Sequence, residues 1–496
     1  MKKTVGALSG LALAVAAICT AGAWYTGQQL PAVLDQSIAQ SNQQLAQSIA
    51  GAGGSAQIEL LSLERHLYSS TARYHLKVEN LQLGEERVSF ELTFVDRIEH
   101  GPLPWSRLKA FKLMPVMASS NYALEKDAGT AGWFAASNDV APLQGHMSLG
   151  YDRSVDGQLR LMPLDITQAE GSSVKLSGVT LDISGGAKGE TVKLAGDLGS
   201  LAMTLVTPDR PPVKIALQGL ELAANLKLTP FGFYVGQVDL LLADSAFTYG
   251  DRQAELAFKG MEQRNDYQIE GSQLAVKQVY KVADISYDGK PVGSAQVAWS
   301  ARRLDVPAVQ ALMEFYANNL PAFEQATAAG VSPSQALTEA QRADFQQRIL
   351  AVLAGKPQLA LDDVSFKTAN GESRFKLTVD LAQPASLDLP LEQVSRQMIE
   401  QVQSDLSLSK PMIGDLAALQ AKVQGEDVQQ IEQASRAGEM VAQMAMYTQL
   451  ATIKDDAIVS NLHYANGQVN LNGKNMTVEQ FAALLMSNFG ALQGPR

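Results

Sequence analysis

A chain of 496 residues with 46% hydrophobic side chains is long enough for two or three cored domains and too apolar to be disordered. Its net charge of −11, without a long basic run, argues against nucleic acid as a partner, and its single cysteine, Cys19, leaves the rest of the chain without disulfide or thiol chemistry. Only 6% of residues are aromatic and 18% charged, a balance that suits an extended scaffold rich in Val, Leu and Ala.

The first element is an uncharged run from Thr4 to Tyr25, preceded by Lys2 and Lys3 and followed by no charge until Asp35. As a helix it would span roughly 30 Å, one bilayer core. Val5, Leu8, Leu11, Leu13, Val15 and Ile18 would lie in the hydrocarbon, with Trp24 and Tyr25 as an interfacial aromatic pair. The two lysines stay on the cytoplasmic side, so the chain after Tyr25 is delivered across the membrane. The same run also has the parts of a cleaved signal peptide, with Ala21-Gly22-Ala23 ahead of Trp24. Its length and aromatic end favour a retained anchor. Lipidation at Cys19 is disfavoured by Ile18, where such a signal takes a small residue. Both leading readings export the chain.

From Leu30 to Ala50, Val33, Leu34, Ile38, Leu45 and Ile49 fall near helical spacing and Pro31 suits a first turn, which predicts a short stalk helix ending at the hinge Gly51–Gly54. From Gln57 to about Leu304 the period changes to two. Val88, Phe90, Leu92 and Phe94 alternate with polar residues as a half-buried strand, and similar runs recur at His146–Asp152, Gln158–Asp165, Thr191–Ala195 and Ser294–Leu304. Asp156-Gly157 and Asp288-Gly289 read as hairpin turns, and the absence of strand–helix–strand alternation predicts antiparallel pairing.

One pattern repeats: two apolar residues two apart, a two-residue step, then a second such pair. It appears as Leu76, Val78, Leu81, Leu83; as Val174, Leu176, Val179, Leu181; and as Ile215, Leu217, Leu220, Leu222. Tyr280, Val282, Ile285, Tyr287 and Leu359, Leu361, Val364, Phe366 repeat it, with a truncated copy at Leu256, Phe258, Met261. The step often ends in glycine, at Gly178, Gly219 and Gly260. A step of three turns the later pair to the other face of a sheet. A one-residue β-bulge restores it, and the alternative is two strands split by a tight kink. The product is a long, curved, largely antiparallel sheet with one apolar side.

Helices follow. Val306, Val309, Leu312, Met313, Tyr316 and Leu320 form one stripe, and a capping box at Ser332–Gln335 opens a helix whose apolar face is Leu337, Phe345, Ile349, Val352 and Leu353. A hairpin, Lys356–Lys367 with Ser373–Leu381, turns at Asn370-Gly371. Further helices are expected at Leu391–Gln401, Ile413–Val423 and Val428–Leu450, the last with Val441, Met444 and Tyr447 as a core stripe. A hairpin at Asn466-Gly467, a turn at Asn472-Gly473 and a helix capped by Thr477 with Gln480 complete the chain.

The chemistry-bearing residues form no recognised constellation. His66, His75, His100, His146 and His463 have no metal-ligand spacing, and no nucleophile elbow, phosphate loop or dinucleotide fingerprint is present. No cofactor or metal is expected. Adjacent carboxylates at Glu85-Glu86, Asp362-Asp363 and Asp455-Asp456 suit solvated turns. His100-Gly101-Pro102-Leu103-Pro104-Trp105 is the most unusual stretch, either a rigid loop presenting His100 and Trp105 or, the favoured reading, a proline-fixed turn between strands.

The stretches Gly22–Gly27, His100-Gly101-Pro102, Leu113–Ser119 and Tyr464–Lys474, taken in order along the chain, resemble the YdgA/YihF family of bacterial envelope proteins. The resemblance runs end to end. It implies association with the inner membrane, a homodimer in some members, no established catalytic residues and a domain of unknown function. A more distant, architectural likeness is to the AsmA-like envelope proteins, a group linked to lipid traffic.

The expected fold is α+β: an anchor in 1–27, stalk and hinge in 28–54, a β-rich periplasmic region in 55–304, a helical insert in 305–355 and a mixed region in 356–496. The expected function is non-enzymatic envelope homeostasis at the inner membrane, through binding of a lipid, a lipoprotein acyl chain or a partner protein. A hydrolase without a recognisable motif and a homodimeric scaffold are the alternatives.

Overall fold

The computed structural model describes residues 27–492 except 29, 33, 37, 40, 44, 47–53, 84–85, 169, 208–209, 329 and 332–335. The anchor Thr4–Tyr25 with its Ala23 site, all of the hinge but Gly54, and the Ser332–Gln335 capping box lie outside the described residues. Strands predominate, with some helices, and the chain divides into two compact units: Met1–Leu228 with Ser245–Gln253, and Thr229–Asp244 with Ala254–Arg496. Strand β12 below is divided between them at Asp244 and Ser245.

The first unit is an antiparallel meander of β1 (Ser55–Arg65), β2 (Ser69–Leu83), β3 (Glu86–His100), β4 (Ala118–Leu124), β5 (Leu143–Leu149), β6 (Val155–Leu161), β7 (Leu164–Thr167), β8 (Ser173–Leu176), β9 (Val179–Gly185), β10 (Thr191–Thr207) and β11 (Arg210–Leu228). β1 to β6 pair in sequence, β6 pairs β9, and β9 and β8 share one edge of β10, whose other edge takes β11. The described residues between 27 and 46 are helical. They form no free-standing stalk: Leu30 packs on Ala72 of β2 and Ile98 of β3, with Leu34, Leu60 and Leu63 beside them. Asn42 fastens the helix to β1, its amide donating to the Ile58 carbonyl at 2.9 Å and accepting from the Ile58 N–H at 2.7 Å.

After β12 (Tyr234–Tyr249), the second unit contains β13 (Ala254–Glu270), β14 (Gln273–Tyr287), β15 (Lys290–Asp305), β16 (Gln358–Lys367), β17 (Glu372–Leu381), β18 (Ile399–Ser409), β19 (Thr452–Lys454), β20 (Ala457–Ala465), β21 (Gln468–Leu471) and β22 (Lys474–Thr477). β13 to β18 pair in order, β18 pairs β20, and β20, β21 and β22 continue the meander. Between β15 and β16 the helices Val306–Asn318, Leu320–Ala328 and Glu339–Ala354 build a small core of their own from Phe315, Phe323 and Leu337, with Phe345 stacked 5.4 Å from Phe315. Asp305 and Thr338 cap two of these helices, the second through a capping box with Gln341.

The repeated apolar step resolves into two devices. At Val78/Leu81, Val282/Ile285 and Leu361/Val364 the ladder takes three residues against two, a β-bulge. At Leu176/Val179 and Leu217/Leu220 no residue is inserted; the step falls on Gly178 and Gly219, which have φ of +103° and +64°. Gly199 of β10 lies between them, so three glycines stand in a row: Gly178 in the link between β8 and β9, Gly199 on β10 and Gly219 on β11.

Several expectations need correction. Asp156-Gly157 is no turn: both lie inside β6, and a Cβ at Gly157 would meet the His146 carbonyl at 2.8 Å, so the glycine serves close strand approach. The helix from Leu391 stops at Met398, and Ile399–Ser409 is a strand. Val428–Leu450 is two helices, Val428–Ser435 and Ala437–Tyr447, broken where Gly414 packs under the Ser435 carbonyl. Val441, Met444 and Tyr447 are exposed, not core, while in the stripe of Val306–Asn318 the buried aromatic is Phe315 and Met313 and Tyr316 face solvent. Asp362-Asp363 is the β16 bulge and not a turn. Asp288-Gly289, Asn466-Gly467 and Asn472-Gly473 are turns with positive φ at both residues.

Candidate functional site

The even-numbered positions of β3 from Phe90 to His100 continue one strand face, and this face carries two buried polar residues, Asp96 and His100. His100 is buried, and its Nε2 lies 3.0 Å from Ser70 Oγ on β2. A Cβ on Gly27, at the start of the described helix, would stand 2.7 Å from His100 Cε1. Two separate stretches of the family resemblance therefore meet at one contact.

Four residues before His100, Asp96 is buried between Ala72 of β2 and Tyr122 of β4 and accepts a hydrogen bond from Ser120 Oγ at 2.7 Å. Burial pushes its carboxyl above the usual carboxylate range, against the hydrogen bonds from Ser120 and the Asn121 backbone. Burial, assisted by the Asp96 charge, raises the phenols of Tyr74 and Tyr122. At about 3.3 Å per residue, Asp96 and His100 stand about 13 Å apart along the strand. The Ser70–His100 pair thus has a hydroxyl next to an imidazole, with Asp96 too far along the strand to act behind it, and both residues are closed to solvent.

The other histidines go elsewhere. His66 and His463 are exposed, and His75 contacts Thr93 Oγ1 at 3.3 Å and Glu91 at 3.4 Å. His146 borders an open recess of about 610 Å³ with Lys112, Arg160, Lys193, Asp156 and Asp182; burial, then the Lys112 charge, lowers its pKa. Among the described residues no three His, Cys, Asp or Glu side chains gather as metal ligands.

The loop after β3 is built more firmly than a simple turn. Gly101 N–H donates to the Met117 carbonyl at 2.7 Å and Val116 N–H to the Pro102 carbonyl at 2.9 Å, closing its base. A Cβ at Gly101 would lie 1.8 Å from the Val116 carbonyl oxygen, so only glycine fits. The Gly101–Pro102 peptide is cis. Glu99 accepts from Ser106 N–H at 2.8 Å and Oγ at 2.6 Å at the head of the short helix Trp105–Lys109, and Arg107 donates to Ser148 Oγ at 3.0 Å. Trp105 is presented to solvent; His100 is not. Ser70, Asp96 and Phe111 escaped the sequence reading, although an acid at position 96 on an apolar strand phase is a signal for the second.

A different surface spans β10 and β11. Val192 faces Leu226, Leu194 faces Ala224 and Leu198 faces Leu220 across the ladder. Of these only Leu198 and Ala224 are buried. The first unit's helices Trp105–Lys109 and Ala131–Ala136 make no extensive contact with either strand.

A family model described as "Bacterial protein of unknown function (DUF945)" matches residues 1–479. The chain is 26% identical to Protein YdgA of Escherichia coli (strain K12) over 98% of its own length and 97% of that protein. It is 20% identical to the uncharacterized protein YihF of the same organism over 95% and 97%, respectively. An uncharacterized protein of Haemophilus influenzae matches over 32% of the chain at 26% identity. No solved structure matches. Among the described residues no helix is long and apolar enough to cross a membrane.

Proposed function

The chain belongs to the bacterial DUF945 family of unknown function, and we propose that it serves the cell envelope as a non-enzymatic protein of the inner membrane, held by Thr4–Tyr25 with its bulk in the periplasm. In this reading it binds an apolar ligand, a lipid or acyl chain, along one side of a curved, bulged sheet. The observation that carries it is the apolar ladder of β10 and β11, where the side chains of Val192, Leu194, Leu222 and Leu226 are only half-buried. Burying apolar surface is worth about 25 cal/mol per Å², so a face left half open has free energy to gain from an apolar guest.

A photo-crosslinking side chain at Leu222, on this ladder, should give lipid adducts in intact envelopes, and one at the neighbouring Glu221 should not. Equal or absent adducts at the two positions would sink the ligand reading. A homodimeric scaffold is the second reading. It is favoured by the solvent-facing Met440, Met444 and Tyr447 on the helix Ala437–Tyr447. Light scattering on the full chain, with Met444→Glu and Tyr447→Glu as the disrupting pair, tests it: a monomer before substitution removes that reading.

A further inference from the structure

We infer that the loop 101–117 is a membrane-contact element, which seats its tip in the anionic surface of the bilayer that holds the N-terminal anchor. The inference rests on the anchor reading above and adds a second, peripheral point of contact. Phe111, 88% exposed, is the most exposed large apolar side chain among the described residues, and the same loop also exposes Met114, Leu113 and Trp105 at 78%, 65% and 64%. Four such side chains within ten residues are not the scattered exposed leucines of an ordinary surface.

Their company identifies the partner. Arg107, Lys109 and Lys112 lie among them, and no Asp or Glu occurs from Gly101 to Met117, in a chain whose net charge is −11. Lys109 Nζ sits 5.6 Å from the Trp105 ring centroid, so the cation and the amphipathic aromatic form one unit. Lys112 is shared with Asp156 only at 3.9 Å, with both side chains at least half exposed. Trp, Phe and Leu interleaved with Lys and Arg is the composition that settles at the headgroup level of anionic lipid.

Position agrees. The loop is rooted at His100, and His100 lies against Gly27. The apolar run of the sequence ends two residues earlier, at Tyr25, and two residues span at most about 7 Å. A bilayer that takes up this run therefore begins close to the root of the loop. The tip is also held in shape before any contact. Backbone hydrogen bonds close its base, and Arg107 and Glu99 brace the short helix, so little ordering entropy is lost on insertion.

The test uses the full chain with Cys19→Ala and Phe111→Cys, labelled with an environment-sensitive fluorophore and reconstituted into vesicles of phosphatidylcholine with phosphatidylglycerol. A second label site at Lys454, on the short strand β19, serves as the wet control. The expected result is co-flotation, with the probe at position 111 dry and quenched by spin-labelled lipid while that at 454 stays wet. Lys109→Gln with Lys112→Gln should shift the dry-to-wet ratio by about thirtyfold, the loss of two lysine contributions at an anionic surface. Co-flotation with a wet probe at 111, or a dry probe indifferent to both lysines, overturns this inference and leaves the anchor standing. No flotation overturns the anchor reading and this inference together.

Discussion

Replacing Gly27 by alanine separates a docked N-terminal helix from one that merely points at the sheet. In an exposed helix the change is favourable, by up to about 1 kcal/mol of propensity. Here the new Cβ would stand 2.7 Å from His100 Cε1 and 2.8 Å from Nδ1. The ring has little room to retreat, because His100 is buried and its Nε2 is engaged by Ser70 Oγ at 3.0 Å. Overpacking costs about 1–3 kcal/mol and a pinned ring puts it in the upper part, about 2–3, so the net effect changes sign, to a loss of about 1–2 kcal/mol after the propensity gain. For a unit of this size that is roughly 2–8 °C in melting temperature. The assay is thermal unfolding of the full chain, with hydrogen exchange of the helical amides between 27 and 46 as the local readout. His100→Ala alone should cost about 1–3 kcal/mol by stranding the Ser70 hydroxyl. Combined with Gly27→Ala it should lose less than the sum, with a coupling of about 1 kcal/mol or more. A Gly27→Ala protein as stable as the parent, or strict additivity in the double variant, would refute the contact.

Three further outcomes are expected. Gly101→Ala places a Cβ 1.8 Å from the Val116 carbonyl oxygen and must break the loop's basal hydrogen bonds; a loss of about 2–4 kcal/mol, visible as rapid exchange of the Gly101 and Val116 amides, is expected, and unchanged protection would contradict it. Asp96 is held above the ordinary carboxylate range by burial, so the folded chain keeps its proton longer than the unfolded one. Its contribution is intact below about pH 3.9 and is lost as pH rises through the folded value. Asp96→Asn should therefore melt with the parent in acid and above it at neutral pH, and parallel pH profiles would argue against a buried acid. Phe315→Ala empties the centre of the helical insert and should cost about 3–5 kcal/mol, whereas Tyr316→Ala, half exposed, should cost far less; reversed ranks in denaturant melts would mean the wrong aromatic is the core residue.

The strands of period two were legible because their faces differ: Val88 to Phe94 lies within β3 as written, and Asp288-Gly289 and Asn466-Gly467 make the turns their chemistry demands. Legibility ended where one pattern serves two geometries. Asp156-Gly157 has turn chemistry, but the constraint on Gly157 comes from His146 on the neighbouring strand, which local sequence does not contain. The repeated apolar step predicted bulges, and the chain uses a bulge at Leu361/Val364 but a positive-φ glycine at Leu217/Leu220, because only glycine makes the second device cheap. Helical period alone could not rank Phe315 above Tyr316, adjacent residues at the margin of one stripe. The contact between Gly27 and His100 joins residues 73 positions apart and was visible only as two unrelated stretches of one family resemblance.

The glycine row Gly178–Gly199–Gly219 has a mechanical consequence. Elsewhere on β9 to β11 a change of twist must slide apolar side chains past their cross-strand partners, such as Leu198 past Leu220. Along the row there is no side chain of the three residues to slide, and the ties beside it are the Ser200 N–H donating to Ser177 Oγ at 2.8 Å and the Ser177 N–H donating to the Ser200 carbonyl at 2.9 Å. The row therefore lacks the side-chain packing that stiffens the ladders on either side, and a bend there would cost a few dihedral angles and little packing.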